Sequence, residues 1–183
     1  MYRQMILLVA MIAITLEAGC ASKTASQPLE LGHPIPTLEL KTASENSPFV
    51  MSSLKGEVVI LNFWSTSCGV CMKEIEELKE IHDSGKAKVI GIALDQAADR
   101  VRSVMEKRGV NYPVLMGDQT TFERFDGYSI PYTIVLDRSH IVLKRFFGPM
   151  SEQDLDDVLK SNSASKSASK APRDLVSRVN QVH

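Results

Sequence analysis

With 183 residues, 44% of them hydrophobic and 23% charged, the chain is long enough for one domain with a sizeable core plus tails. A net charge of -1 supplies no basic surface for nucleic acid, and three cysteines are too few for a disulfide scaffold. Cys68 and Cys71 form a C-x-x-C pair and Cys20 closes an apolar N-terminal run, so each cysteine has a candidate role.

The N-terminus reads as an address. Arg3 provides a positive charge, and residues 5–16 form an uncharged apolar run, too short for a comfortable membrane span and suited to a signal sequence. Ala18-Gly19-Cys20 then resembles the end of a bacterial lipoprotein signal, with Cys20 as the lipidated first residue of the mature chain. Glu17 stands where that pattern takes an apolar residue. Cleavage after Ala21 and an uncleaved anchor stay open as alternatives. All three place the domain outside the cytoplasm, in a bacterial periplasm or cell envelope. The expected organisation is a signal over 1–20, a flexible tether over 21–33, a folded domain over 34–160 and a low-complexity, disordered tail over 161–183.

Within the domain, residues 37–41 and 49–52 read as two short strands joined by a turn, an N-terminal β-hairpin. Residues 58–64 are a dense β-branched and aromatic run, the pattern of a strand buried on both faces. A helix over 71–82 follows, with Cys71, Ile75, Leu78 and His82 on one face, Glu74, Glu77 and Glu80 elsewhere, and Gly85 as its stop. Residues 88–94 form a second buried strand. Asp95 is positioned to cap a helix through Lys107, with Val101, Val104 and Met105 inward and Gly109 as its stop. An extended segment over 112–116 and a short helix over 121–125 come next. Two strands over 132–137 and 141–147 form a hairpin, and Ser151 caps a last helix to about Lys160. The βα order predicts an α/β domain of three layers, a mixed central sheet with helices on both faces.

The dithiol stands at the junction of a buried strand and an amphipathic helix. There, unpaired backbone N–H groups and the helix dipole favour negative charge. Cys68 at the first turn is therefore the expected nucleophile, its thiol acidified, with Cys71 one turn deeper as the resolving thiol. The cycle needs no cofactor beyond the two sulfurs. A structural zinc site would need four ligands, and His33, His82, His140 and His183 show no ligand spacing.

The stretch Val59-Ile60-Leu61-Asn62-Phe63-Trp64-Ser65-Thr66-Ser67-Cys68-Gly69-Val70-Cys71 followed by Glu74 resembles the thioredoxin superfamily. Within it, the stretch is similar to the TlpA/ResA-like group of exported, membrane-tethered thiol–disulfide oxidoreductases. Leu54-Lys55-Gly56, Gly91-Ile92-Ala93-Leu94-Asp95 and Ile130-Pro131-Tyr132-Thr133 extend the resemblance over residues 34–160. The resemblance implies a thioredoxin-like fold and a cis bond before Pro131, with Ile130, Pro131 and Trp64 shaping a substrate groove. It also implies an active-site carboxylate at Glu74. Asn62 falls where cytosolic thioredoxins have a buried aspartate. Ser67 stands where the group usually has Trp, Glu76 where a helix proline is common, and Val70 where proline is frequent between the cysteines; the last change should move the reduction potential.

The resemblance implies protein disulfides as substrates, a membrane electron donor, and a role in cytochrome c maturation; the chain has no C-x-x-C-H haem site of its own. A monomer is the default. Three alternatives are a disulfide oxidase, a redoxin-type peroxidase using Ser65, and a copper carrier using Cys68, Cys71 and His140. Leu61 occupies the place where the peroxidase pattern has proline.

Overall fold

The computed structural model describes residues 29–169, with side chains through residue 163. The expected signal, Cys20, most of the tether and the end of the tail lie outside the described residues. Among the described residues no helix is long and apolar enough to cross a membrane.

The elements in chain order are β1 (Lys41–Thr42), β2 (Val59–Trp64), α1 (Gly69–Ser84), β3 (Lys88–Ala93), α2 (Ala98–Arg108), β4 (Val114–Met116), α3 (Gln119–Arg124), β5 (Tyr132–Leu136), β6 (Val142–Phe147) and α4 (Glu152–Ser169). They build one sheet in the order β1-β4-β3-β2-β5-β6. β2, β3 and β4 run parallel, each joined to the next by a helical crossover, while β5 is antiparallel to β2 and β6 to β5. Every residue of β2 and of β5 is buried, in keeping with their largely aliphatic and aromatic composition, Asn62 and Thr133 being the buried polar exceptions.

Alternation along the strands divides the core in two. Ile60, Trp64, Val89 and Val135 face Cys71, Leu78 and Ile81 of α1, Val101 of α2 and Leu155 of α4. Val59, Leu61, Phe63, Ile90, Ile134 and Leu136 face Phe122 of α3, Phe125 and the N-terminal Leu29 and Leu38. Helices thus cover both sides of a mixed sheet, the three-layer thioredoxin-like architecture.

Four local expectations are corrected. The N-terminal hairpin contracts to β1 and a bridge between Lys41 and Pro48, closed by the Thr42 N–H on the Ser47 carbonyl and the Phe49 N–H on the Leu40 carbonyl, both at 2.9 Å, before the chain turns into a 3-10 segment at Met51–Leu54. Asp95 does not cap α2, which starts after Ala97 without a side-chain cap; its carboxylate accepts from the N–H and hydroxyl of Thr66 instead. Glu74 does not lie away from the core. It is about 60° around the helix from Cys71, and the buried arc comprises Cys71, Glu74, Ile75, Leu78 and Ile81, with His82 only half-buried. Finally, α4 continues past Lys160 to Ser169, since Ala, Ser and Lys sustain a helix and no proline interrupts before Pro172.

Candidate active site

The chain leaves β2 at Trp64, turns through Ser65, Thr66 and Ser67, and enters α1 with Cys68 as its N-cap. The Thr66 N–H donates to Asp95 Oδ2 at 2.8 Å and the Cys68 N–H to the Ser65 carbonyl at 3.0 Å, which fixes the turn. Cys68 and Cys71 are joined by a disulfide, their Cα atoms 5.3 Å apart. Cys68 Sγ also accepts the Cys71 N–H at 3.1 Å, one of the orphan donors of a helix start. Cys68 is partly exposed and Cys71 buried, so the sulfur at the helix end is the one an incoming disulfide reaches.

Glu74, one turn along, is only 4% exposed. Its Oε1 accepts the Met150 N–H at 2.8 Å and its Oε2 accepts from Asn62 Nδ2 at 3.1 Å. Asn62 also donates to Thr133 Oγ1 at 2.9 Å, which ties β2, β5, α1 and the start of α4 together. Burial pushes the Glu74 carboxyl up from 4.5 to about 7, and the bonds from Met150 and Asn62 pull back only part of that. Tyr112 is raised as well, by burial first and then by the charge of Glu74.

Trp64 is buried, and among the described residues its Nε1 has no hydrogen-bond partner. Gly91 lies opposite Asn62 in the β2–β3 register. A Cβ there would stand 3.0 Å from Trp64 Nε1 and 3.3 Å from both the Tyr112 ring and a Val114 methyl, so glycine makes the space into which the indole packs.

The Ile130–Pro131 bond is cis, as expected. Tyr132 pairs with Phe63, so Pro131 stands at the β5 position that follows toward Trp64, at the sheet end that carries the dithiol. The Pro131 carbonyl accepts the Gly148 N–H at 2.8 Å.

Of the residues expected at the site, Trp64, Cys68, Cys71, Glu74, Ile130 and Pro131 converge on that end of the sheet. Cys20 lies outside the described residues. His140 does not converge: it sits in the β5–β6 turn beyond Leu136, which pairs with Val59 at the opposite end of β2. Its Nε2 is 3.1 Å from the Leu54 carbonyl. A copper site shared by His140 and the dithiol is thereby excluded. A groove of about 380 Å³ that includes His140, Ile35, Phe49 and Met51 lies at that far end. Among the described residues, no group of three His, Cys, Asp or Glu is placed to hold a metal. The sequence marked Thr133 and Asp95 only as part of the resemblance, and Tyr112 and the Met150 N–H not as site groups, since each acts through a contact between elements.

Residues 30–159 match the Redoxin family. Among curated proteins, the chain is 28% identical over 113 residues to a thiol-disulfide oxidoreductase ResA from Bacillus subtilis, covering 60% of this chain and 63% of that protein. It is similar to the crystal structure of a thioredoxin-family thiol:disulfide interchange protein from Chlorobium tepidum, with a TM-score of 0.62, 29% identity and coverage of 72% of this chain and 97% of that one. A secreted thiol-disulfide isomerase from Corynebacterium glutamicum matches with a TM-score of 0.63 and 26% identity, over 68% of this chain and 81% of that one.

Proposed function

The chain belongs to the Redoxin family, as a TlpA/ResA-like member of the thioredoxin superfamily, and from that premise we propose that it reduces protein disulfides outside the cytoplasm through Cys68 and Cys71. The observation that carries this reading is the disulfide at the start of α1, whose outer sulfur accepts a helix N-terminal N–H. Once Cys68 is a thiolate, that donor and the helix dipole stabilise it.

In the first step the Cys68 thiolate attacks one sulfur of the substrate disulfide. That bond breaks, the other substrate sulfur leaves as a thiolate and takes a proton from water, and a mixed disulfide forms. Cys71 then loses its proton and attacks Cys68 Sγ. The substrate leaves with both sulfurs reduced, and the Cys68–Cys71 disulfide remains. Glu74 is the group suited to accept the Cys71 proton, because a carboxyl that titrates near 7 is part ionised at neutral pH and lies one turn from Cys71. Two electrons from a membrane donor restore the dithiol. Ile130, the partly exposed one of the three groove residues, borders the approach, with Pro131 and Trp64 packed beneath it.

The extracytoplasmic setting is supported by the N-terminal signal pattern and by the secreted relative. In this reading Cys20 carries the lipid that holds the domain to the membrane. The likeness to the TlpA/ResA-like group points further to apocytochrome cysteines as substrates, kept reduced until haem attaches.

Cys71→Ser tests the reading. Without a resolving thiol, substrates should accumulate as mixed disulfides on Cys68, and Cys68→Ser should capture none. Equal recovery from both variants would reject the mechanism. A reduction potential well below about -200 mV marks a reductase, whereas a value near -120 mV would make the protein an oxidant instead.

A further inference from the structure

The dithiol end of the sheet also carries an aromatic feature that the chemistry above does not use. Tyr128 is 74% exposed and Phe147 39% exposed, and their rings stack with centroids 4.1 Å apart. Phe147 stacks in turn on the buried Tyr132 ring at 4.5 Å, nearly parallel at 9°. Tyr132 is anchored by its hydroxyl, which donates to the Phe125 carbonyl at 2.8 Å. The three rings form a ladder from core to solvent.

The loop that presents Tyr128 is held firmly. Asp126, at a φ of 53°, accepts the Leu29 N–H at 2.6 Å and pairs with Arg145 at 3.2 Å. The Gly127 N–H donates to the Phe122 carbonyl at 2.9 Å, and any Cβ on Gly127 would collide with the Phe122 ring at 2.0 Å. An exposed ring on a fixed loop adds little to the core, but a partner that stacks on it need not first order it.

Position then names the partner. Phe147 pairs with Tyr132, one residue beyond the cis proline, and Val70, 49% exposed, lies between the cysteines. Phe147 precedes Gly148, whose N–H the Pro131 carbonyl accepts, so the Tyr128–Phe147 stack lies beside the cis proline at the sheet end that carries the dithiol. β6 is two strands from β2, at least about 10 Å at ordinary strand spacing, and Tyr132 with Phe147 stacked on it faces the α3 side while Cys68 packs toward α1, so an extended peptide needs at least about three or four residues to reach from one to the other. Arg145 is engaged by Asp126, and Lys144 falls on the other side of β6 from Phe147, so neither cation of β6 is presented beside the rings to an anionic lipid surface.

We infer that Tyr128 and Phe147 form a docking shelf that selects polypeptide substrates carrying an aromatic side chain at least about three or four residues from the cysteine under attack. The inference rests on the proposed dithiol chemistry and adds a substrate class to it.

The test compares pre-reduced full-length protein with two disulfide-bonded peptides, one with Phe at that spacing and one with Ser there, and with cystamine as a small aliphatic disulfide. The expected second-order rate is about ten-fold higher for the Phe peptide, an energy of about one good aromatic stack. Tyr128→Ala should erase the preference while leaving the cystamine rate unchanged, and Tyr128→Phe should restore it. Phe147→Leu, which keeps bulk over Tyr132, should weaken it. Equal rates for both peptides, or a preference that survives Tyr128→Ala, would overturn the inference. So would a Tyr128→Ala protein that loses only vesicle binding or self-association. Failure to reduce cystamine would strike the dithiol reading itself, a separate outcome.

Discussion

The two faces of the sheet are built on different terms. The face toward α3 is wholly apolar at its centre: Phe63 lies within 5.6 Å of the Phe122, Phe125 and Tyr132 rings, with Leu61, Ile90, Ile92 and Ile134 around them. The face toward α1 and α4 buries Asn62, Glu74 and Thr133 and the unpartnered Trp64 Nε1 among its apolar groups. Burying polar groups costs free energy unless each finds a partner, and ordinary cores avoid them. Here they cluster one turn from the dithiol. One face secures the fold; the other accepts a less stable interior to hold a carboxyl whose proton comes and goes near neutral pH.

The sharpest way to break that contrast is Phe63→Ala. Phe63 is fully buried and touches three aromatic rings, so its truncation should cost about 3–5 kcal/mol in chemical denaturation. The same variant, while folded, should keep the wild-type reduction potential. A large shift in potential would show that the two faces are not separable.

Glu74 gives the next largest effect. Its folded-state value is raised from 4.5 to about 7, so it contributes stability that is complete below 4.5 and is lost as pH rises through 7. The oxidised protein should lose up to about 3 kcal/mol across that window from this group. Glu74→Gln should flatten the slope, and under the proposed mechanism it should also remove the inflection near 7 from the rate of resolution by Cys71. An unchanged stability profile in the variant would mean that Glu74 stays ionised inside the fold.

Much of the contrast was legible in the sequence, for identifiable reasons. The apolar run of β2 has no competing pattern, and a C-x-x-C at the end of such a strand fixes where the helix begins. The cis bond at Pro131 followed from resemblance, which carries information about a bond that local composition does not. Glu74 was less legible. As one of four glutamates on α1 it looks solvated, and what satisfies it inside the fold is the Met150 N–H, a donor 76 residues away. Asp95 misled for a related reason: it precedes a helix as a cap would, but Thr66, 29 residues earlier, takes its carboxylate. Tyr128 and Phe147 have no sequence pattern to connect them, because strand pairing sets Phe147 opposite Tyr132 and the loop before β5 then lays Tyr128 on it. Local periodicity reports what a residue does within its element, and the polar contacts of this site run between elements.

Gly91→Ala sharpens the account of the polar face. The added methyl would stand 3.0 Å from Trp64 Nε1 and 3.3 Å from Tyr112, so the ring must shift, at a cost of about 2 kcal/mol. Trp64 is the only tryptophan in the chain, so its fluorescence reads the displacement directly. Stability lost with no change in emission would place the strain elsewhere.

The smallest effect belongs to the apolar face. Asp118 caps α3 by accepting the Thr121 N–H at 2.7 Å, and α3 places Phe122 in the aromatic cluster. Asp118→Ala should cost about 1 kcal/mol near neutral pH. The Thr121 hydroxyl, then its N–H, hold the Asp118 carboxyl below its usual range, so its contribution is present above pH 3.8 and fades as acid protonates it. Wild type and variant should therefore converge in acid. For Glu74 the wild-type and Gln profiles should instead differ most in slope between pH 4.5 and 7. Opposite pH signatures from two carboxylates, one accepting at an exposed helix end and one buried beside the dithiol, would follow from their surroundings alone; matching signatures would mean that Glu74 is as well solvated as Asp118.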